Sequence, residues 1–380
     1  MTKFTFHRVT RFPEFLKMRE EWERFTDSYF PETYARTHRW LAAYWKTYHP
    51  DGPSAVQVQR DDEGIVAAAP LLVRKENFSG LPVRMLAVLG RGIGREDFLL
   101  SPASNGFLPA AFANIEGAGW DVMQLSRVSP EFAAKVEEAA TSRGWKAEKR
   151  ETKDFFITLP ADYREYIGSR SKKFRRNLNL AENRMKREGI VEFQVLDPFR
   201  DSERVLEAAA SIARRSWQYE KGVSHFRDSD SLYANLTCQR NGAGGEDFNL
   251  LLVSGIPVAY LLGCRRGRTY YAIDTAFRQD FRSACAGTVL YARIIERLIR
   301  ERHTDVLDFE GDGSYKDAYA TDSRESNSII LYNRRPYSRF IRFFRQSGLY
   351  SYMKSKRHGL AGADSGKTTD KEVPDEEASS

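Results

Sequence analysis

Apolar and polar positions along the chain fall into two successive series of elements in the same order. Each series has two helical stretches, a hairpin, another helix and a final strand. The first series covers about 11–25, 36–48, 54–75, 107–117 and 120–128, and the second covers about 201–216, 230–240, 248–265, 289–302 and 304–312. Strands that alternate with helices predict an α/β fold with mixed central sheets, present twice.

The repeat predicts three parts in the chain of 380 residues. We expect an N-terminal domain over 1–158, a C-terminal domain over 159–350 and a tail over 358–380. The last twenty residues carry six acids and two lysines and have little to bury, so the tail is predicted to be disordered. The stretch 335–357 mixes aromatic and basic residues and is predicted to pack as a terminal helix.

Composition narrows the class of protein. A hydrophobic content of 41% and a charged content of 29% are typical of a soluble globular chain. Apolar runs such as 65–73 are too short for a membrane span, and the N-terminal stretch lacks the apolar segment of a signal peptide. Three widely spaced cysteines do not form a disulfide framework, so we expect a cytoplasmic protein. The net charge of +7 favours anionic ligands.

The most informative stretch is the turn at 282–288. A strand rich in aromatic and β-branched residues, 268–276, leads into it, and a helix with apolar residues at helical spacing follows from Val289. The start of a helix offers free N–H groups and a positive dipole end, which suit a phosphate or pyrophosphate. The candidate ligand-binding residues are Arg282, Ala284, Cys285, Ala286, Gly287 and Thr288. The alternative is an ordinary turn that needs small residues to pack.

A second group of candidates lies near the end of the strand predicted at 304–312. Glycines 311 and 313 mark a turn, and ligands collect at the carboxyl ends of strands in α/β sheets. Asp274 interrupts the preceding aromatic strand. The candidate catalytic residues are Asp274, Asp312, Tyr315, Lys316 and Tyr319. Alternatively, Asp312 caps a short helix, Asp274 starts a turn, and the tyrosines pack.

The most basic segment is 169–189, with eight Lys or Arg residues against Glu182 and Glu188. Apolar residues recur in it at helical spacing, which predicts an amphipathic helix with a basic face. This face could bind an anionic substrate that accepts a transferred group, a nucleic acid, or the 3′-phosphate of a nucleotide. Alternatively, it could simply be a solvated helix face. The aromatic segment 217–226 could bind an acceptor or pack in the core.

Several other classes of site are excluded by the sequence. The glycines between 90 and 94 lead into a strand instead of a helix, which favours a hairpin turn. No phosphate-binding P-loop and no serine nucleophile elbow occur. The six histidines never approach other ligands at metal-binding spacing, so we expect no metal.

These residues resemble known acyltransferases. The pattern Arg-x-x-Cys-x-Gly at 282–287 is one residue away from the Arg/Gln-x-x-Gly-x-Gly/Ala turn by which GNAT acyltransferases hold the pyrophosphate of acyl-CoA. The chain also resembles the CelD-like, cellulose-biosynthesis group of GNAT-like proteins, which are similar to the Fem peptidyltransferases. The matching motifs are SKKFRRNL at 171–178, GIPVAYL at 255–261, FRSACAGTVL at 281–290 and DFEGDGSYK at 308–316.

The resemblance implies tandem GNAT-like domains and N-acyl transfer from acyl-CoA to an amine, on a small molecule or a glycan, in polysaccharide or cell-envelope metabolism. Asp274 or Asp312 would be the base, and Tyr315 or Tyr319 the acid. The N-terminal domain, without an equivalent phosphate turn, is predicted to be non-catalytic. One alternative donor is aminoacyl-tRNA, as in Fem proteins. A third reading is a non-catalytic scaffold in a synthase complex.

Overall fold

The computed structural model describes residues 4–49, 55–90, 92, 94–220, 245–311 and 313–347. The strands are β1 Thr5–Val9, β2 Val56–Arg60, β3 Ile65–Ala69, β4 Leu71–Phe78, β5 Leu81–Val88, β6 Leu99–Leu100, β7 Val122–Val128, β8 Lys146–Thr158, β9 Val191–Leu196, β10 Glu246–Val253, β11 Ile256–Arg266, β12 Thr269–Phe277, β13 Val306–Asp308 and β14 Asp322–Tyr332.

The α-helices number twelve in these residues. They are α1 Phe12–Lys17, α2 Arg19–Tyr29, α3 His38–Tyr48, α4 Phe107–Glu116, α5 Pro130–Thr141, α6 Tyr163–Ser169, α7 Lys172–Glu188, α8 Ser202–Ala213, α9 Trp217–Glu220, α10 Ala286–Glu301, α11 Ser314–Tyr319 and α12 Pro336–Gln346. Within the described ranges, no helix has both the length and the apolar composition that a membrane crossing requires. The helix predicted at 230–240 and the tail at 358–380 lie outside the described residues.

The strands form two sheets. A four-stranded sheet has the order β1-β2-β3-β6, and a ten-stranded sheet has the order β4-β5-β7-β14-β8-β13-β12-β11-β10-β9. The large sheet is mixed, since β5 pairs parallel to β7 and β12 pairs parallel to β13, while its other pairings are antiparallel. The predicted α/β fold with mixed sheets is therefore confirmed.

The parallel pairs show the internal repeat. In the first half α4 connects β5 to β7, and in the second half α10 connects β12 to β13. A parallel pair of neighbouring strands requires such a crossover. Both crossover helices begin after a residue in the left-handed conformation, Gly106 (φ 63°) before α4 and Cys285 (φ 58°) before α10.

Two long strands join the halves at the centre of the large sheet. The strand β8 pairs with β14 over eleven positions, from Asp322 opposite Phe156 to Tyr332 opposite Lys146. On its other side β8 pairs with β13, and β14 pairs with β7. One continuous sheet therefore passes across the sequence boundary that is predicted between 158 and 159, and that boundary stays a prediction.

The basic segment forms the helix α7, whose local sequence explains its bounds. The Ser171 hydroxyl accepts a hydrogen bond from the Phe174 N–H (3.1 Å), which caps the first turn. Leu178, Ala181 and Met185 are buried at helical spacing, and Ala181 and Met185 pack in the cluster that also contains the apolar face of α10. The charged side chains of α7 are thereby left on its outer face.

Candidate active site

The turn before α10 places two backbone donors at one spot. Cys285 has φ 58° and ψ 45°, and its carbonyl accepts from the N–H groups of Thr288 (2.9 Å) and Val289 (3.3 Å). The N–H groups of Ala286 and Gly287 have no acceptor among the described residues. Cysteine occupies the position where the GNAT pattern has glycine, and it takes the left-handed conformation that glycine adopts easily.

The strands beside this turn separate. The parallel pairing of β12 with β13 runs only from Thr269 opposite Val306 to Tyr271 opposite Asp308. Beyond it, the chain after β13 follows β8, since the Phe309 N–H donates to the Phe155 carbonyl (3.2 Å). Meanwhile β12 continues along β11 to Phe277, with a β-bulge opposite Leu262 and Gly263. The turn at 282–288 therefore follows the strand that leaves its parallel neighbour.

The predicted ligand-binding residues surround this turn but differ in exposure. Arg282 is exposed, Cys285, Gly287 and Thr288 are half-buried, and Ala284 and Ala286 are buried. A Cβ atom on Gly287 would lie 3.5 Å from the Phe277 ring, an ordinary contact, so a side chain can be added here without strain. The basic helix reaches the turn as well, because Arg184 Nη1 donates to the Ser283 carbonyl (3.2 Å).

Three tyrosines lie together at the first turn of α10. Tyr319 hydrogen-bonds with the Thr288 side chain, and Tyr291 hydrogen-bonds with Tyr315. The Tyr291 ring centroid lies 5.5 Å from the ring centroid of Tyr319 and 6.4 Å from that of Tyr315. Burial raises the pKa of Tyr319 to about 12, against the opposing effect of the Thr288 hydroxyl. Tyr319 therefore keeps its phenolic proton at neutral pH and is a potential proton donor.

The Asp274 carboxylate accepts a hydrogen bond from the Tyr260 hydroxyl (2.8 Å). Burial, and then this carboxylate, raise the pKa of Tyr260 well above its ordinary value. Asp274 also lies within electrostatic reach of Tyr291 on α10 and of Tyr48 on α3, since it contributes to raising the pKa of both. The carboxylate is therefore near the tyrosine cluster and near the N-terminal half.

Lys316, another predicted residue, lies at the turn after β13. The Lys316 ammonium donates to the Glu310 carbonyl (3.4 Å) and lies 5.7 Å from the centre of the Tyr315 ring. It therefore closes the turn after β13. Asp312 lies outside the described residues. Of the aromatic segment 217–226, Gln218 donates to the Thr275 carbonyl (2.9 Å), so α9 borders the end of β12, and the residues from 221 on lie outside the described part.

A buried ionic cluster next to the site was not predicted from the sequence. Arg127 lies 3.0 Å from Asp154 and 3.0 Å from Glu310, and Arg324 hydrogen-bonds with Asp308. Burial and, less strongly, the Glu310 carboxylate raise the pKa of Asp308. Burial would also raise the pKa of Asp154, but Arg127 and other cations lower it below its ordinary value. Asp308, the first residue of the motif DFEGDGSYK, is thus fully buried in an ion network instead of facing the turn.

No sequence signal indicated this network, because its partners are far apart in the sequence: Arg127 and Glu310 are separated by 183 positions. Tyr291 was also missed, although a signal existed. It follows Thr288 by three residues, so helical spacing places the two on one face.

The described residues include no group of three or more His, Cys, Asp or Glu that could hold a metal ion. A small cavity of about 110 Å³ lies elsewhere, lined by residues that include Arg39, Glu246 and Cys264.

Comparisons with known proteins bear on the fold of the chain. The family described as acetyltransferase (GNAT) domain matches residues 172–319, from the start of α7 to the end of α11. No curated protein matches the chain significantly.

Solved structures extend the similarity to both halves. FemX has a TM-score of 0.57 at 12% identity over 87% of this chain and 97% of its own. L-PGS from Bacillus licheniformis gives 0.53 at 14% identity, over 91% of this chain and 99% of its own. The C-terminal domain of a putative lysylphosphatidylglycerol synthetase from Agrobacterium fabrum gives 0.52 at 12% identity, over 85% and 94%. At these identities the likeness shows the fold alone: the chain has a tandem GNAT-like fold, with the GNAT match in its second half.

Proposed function

We propose that the chain is an N-acyltransferase that takes an acyl group from acyl-CoA and transfers it to an amine. The observation that carries the proposal is the pair of N–H groups of Ala286 and Gly287, which have no acceptor in the described residues. They lie at the positive end of a sixteen-residue helix, where a pyrophosphate is stabilised by hydrogen bonds and by the dipole. Exposed Arg282 adds a positive charge beside them.

Acyl-CoA would supply an activated thioester, from which an amine takes the acyl group as an amide and the thiol is released. The residues of the chain would hold and move the protons. Asp274 is the candidate base for the attacking amine. Tyr319, whose pKa of about 12 keeps it protonated at neutral pH, is a candidate acid for the leaving thiolate. Tyr315, 46% exposed, is the other candidate acid. Lys316 would hold the turn beside them.

The N-terminal half is proposed to shape the acceptor side and not to bind acyl-CoA. Its helix α3 brings Tyr48 within electrostatic reach of Asp274. The acceptor is proposed to be a small-molecule or glycan amine. The resemblance to the CelD-like group supports a place in polysaccharide or cell-envelope metabolism.

Titration calorimetry with acetyl-CoA and with CoA tests the site directly. We expect binding by the unaltered chain and weaker binding by Gly287→Glu and by Arg282→Glu, because each places a carboxylate beside the diphosphate. The variant Arg300→Glu is the matched control for Arg282→Glu, since it makes the same charge change at the exposed far end of α10. Absence of binding at millimolar ligand, or equal affinity in Gly287→Glu, would refute the proposal.

A second candidate donor is aminoacyl-tRNA, and the exposed cations of α7 favour it. Lys172, Lys173 and Arg176 are exposed near the start of the helix. The neighbouring Arg175 is excluded from the test because its guanidinium donates to the carbonyls of Gly168 and Arg170 and holds the local backbone.

Retention of tRNA at low salt tests this donor. Reversing the three exposed charges together should abolish retention and leave acetyl-CoA binding unchanged. If the unaltered chain does not retain tRNA, this candidate is refuted. If neither donor binds while partner proteins copurify, the non-catalytic scaffold is favoured.

A further inference from the structure

The helix α12 leaves an aromatic ridge in solvent. Only Ser338 and Ile341 of its eleven residues are buried, and Ile341 belongs to the hydrophobic cluster formed with β5 and β7. On the outer face Tyr337 is 38%, Phe340 50% and Phe343 73% exposed. The Tyr337 and Phe340 rings stack with centroids 6.3 Å apart, and Phe343 follows Phe340 by three residues, so helical spacing places the three exposed rings along one side of the helix.

The same helix is strongly basic. From 333 to 347 the sequence contains five arginines and no acidic residue. Arg335 and Arg339 are exposed, with no side-chain partner among the described residues. The other three are engaged: Arg334 with Glu116, Arg342 with Glu148 (3.7 Å), and Arg345 over the Phe78 ring (4.4 Å). Glu148 is the acidic residue that faces the helix from β8.

We propose that α12 is an interfacial helix, by which the chain docks on an anionic lipid surface. A narrow stripe of aromatic rings between arginines matches the boundary of a bilayer, where the rings enter the acyl region and the guanidinium groups meet lipid phosphates. The sequence continues in the same way, since 348–357 adds two tyrosines, two lysines and an arginine without an acid. This inference does not depend on the proposed reaction.

Cosedimentation with lipid vesicles tests the proposal on the full chain. One vesicle type is phosphatidylcholine alone and the other mixes it with phosphatidylglycerol. We expect clear preference for the anionic vesicles and weaker binding as salt is added. The double variant Phe340→Ser/Phe343→Ser should lower partitioning about tenfold or more, since it removes most of the apolar area that would enter the bilayer. The variant Arg335→Gln/Arg339→Gln should lose about tenfold on anionic vesicles only.

Ile190→Ser is the matched control, because Ile190 is also 73% exposed but lies between α7 and β9. It should bind vesicles like the unaltered chain. All positions changed are solvent-exposed, so each variant should keep the unaltered melting temperature. The proposal is overturned if the full chain does not sediment, if both vesicle types bind equally, or if Phe340→Ser/Phe343→Ser binds as before. It is also overturned if that variant instead converts a dimer to a monomer in gel filtration, which would assign the ridge to self-association.

Discussion

Replacing Arg127 by Met should remove several kcal/mol of stability, because this arginine neutralises buried carboxylates from both halves. Its guanidinium lies 3.0 Å from Asp154 and from Glu310, and 3.9 Å from Asp308. The side chains of these acids are 1%, 8% and 0% exposed. Breaking a buried pair by removing one partner leaves an uncompensated charge, which costs about 3–5 kcal/mol. Methionine tolerates the backbone there as arginine does, since φ of 54° is equally unfavourable for both.

The loss can be measured by thermal and urea unfolding. With an unfolding entropy of about 2 cal/mol/K per residue, a chain of 380 residues that unfolds as one unit would lose about 4–6 °C in Tm. The matched control is Arg268→Met, which breaks the ion pair with Asp305 at the surface. Those side chains are 62% and 56% exposed, so water screens the pair and its loss should change the stability little.

The deficit should also depend on pH. In the unaltered chain burial and Glu310 raise the pKa of Asp308, and loss of Arg127 would raise it further and would also remove the strongest influence that lowers the pKa of Asp154. The folded variant then binds protons that the unfolded chain has released. Its stability must therefore fall as pH rises through these values, and the deficit must shrink as pH falls toward about 4. A deficit no larger than that of Arg268→Met, or one independent of pH, would refute this account of the cluster.

Three further predictions concern the site. Tyr319→Phe should lower turnover about a hundredfold with unchanged acetyl-CoA affinity. Because the pKa of Tyr319 is about 12, the unaltered enzyme should lose no activity by deprotonation of this group below about pH 11. Equal turnover of the variant would assign Tyr319 to packing. Asp274→Asn keeps an acceptor for the Tyr260 hydroxyl, so it should lower turnover at least about a hundredfold without loss of melting temperature, and unchanged turnover excludes Asp274 as the base. Cys285→Gly should keep acetyl-CoA binding and stay within about 1 kcal/mol of the unaltered stability, because relief of the left-handed conformation offsets the greater freedom of the unfolded chain. Cys285→Val should be less stable in urea unfolding, because a β-branched residue disfavours that conformation. Equal stability of Cys285→Gly and Cys285→Val would contradict this backbone argument.

Local patterns predicted most single elements because their signals lie within a few residues. The hairpin between β10 and β11 turns at Ser254 and Gly255, the positions that the sequence marks. The helix α10 begins at Ala286, and the family match covers its turn. By contrast, no local pattern shows that β8 and β14 form the centre of one ten-stranded sheet, since their paired residues are more than 160 positions apart.

The site was predictable in its backbone and less so in its side chains. A turn of small residues before an amphipathic helix specifies free N–H groups by itself, because the first turn of any helix lacks internal acceptors. The roles of Asp308 and Tyr291 depend on partners that only the fold brings near, Arg324 for one and Tyr315 for the other. Sequence reasoning therefore located the candidate phosphate site more sharply than the acid and base around it.

A buried carboxylate lies beyond the parallel strands of the first half. In the first half the fully buried Glu96 lies against β7: its carboxylate accepts from the Ser126 N–H (2.6 Å) and from the Gly92 N–H (3.0 Å). Its own N–H donates to the Ser126 carbonyl (3.2 Å). A ligand there would have to displace a buried carboxylate and leave two amides without partners, which is unfavourable by several kcal/mol. A ligand at this place in the first half is therefore disfavoured by the buried Glu96, although the N–H groups of Phe107 and Leu108 at the start of α4 have no acceptor among the described residues, as is the case for Ala286 and Gly287.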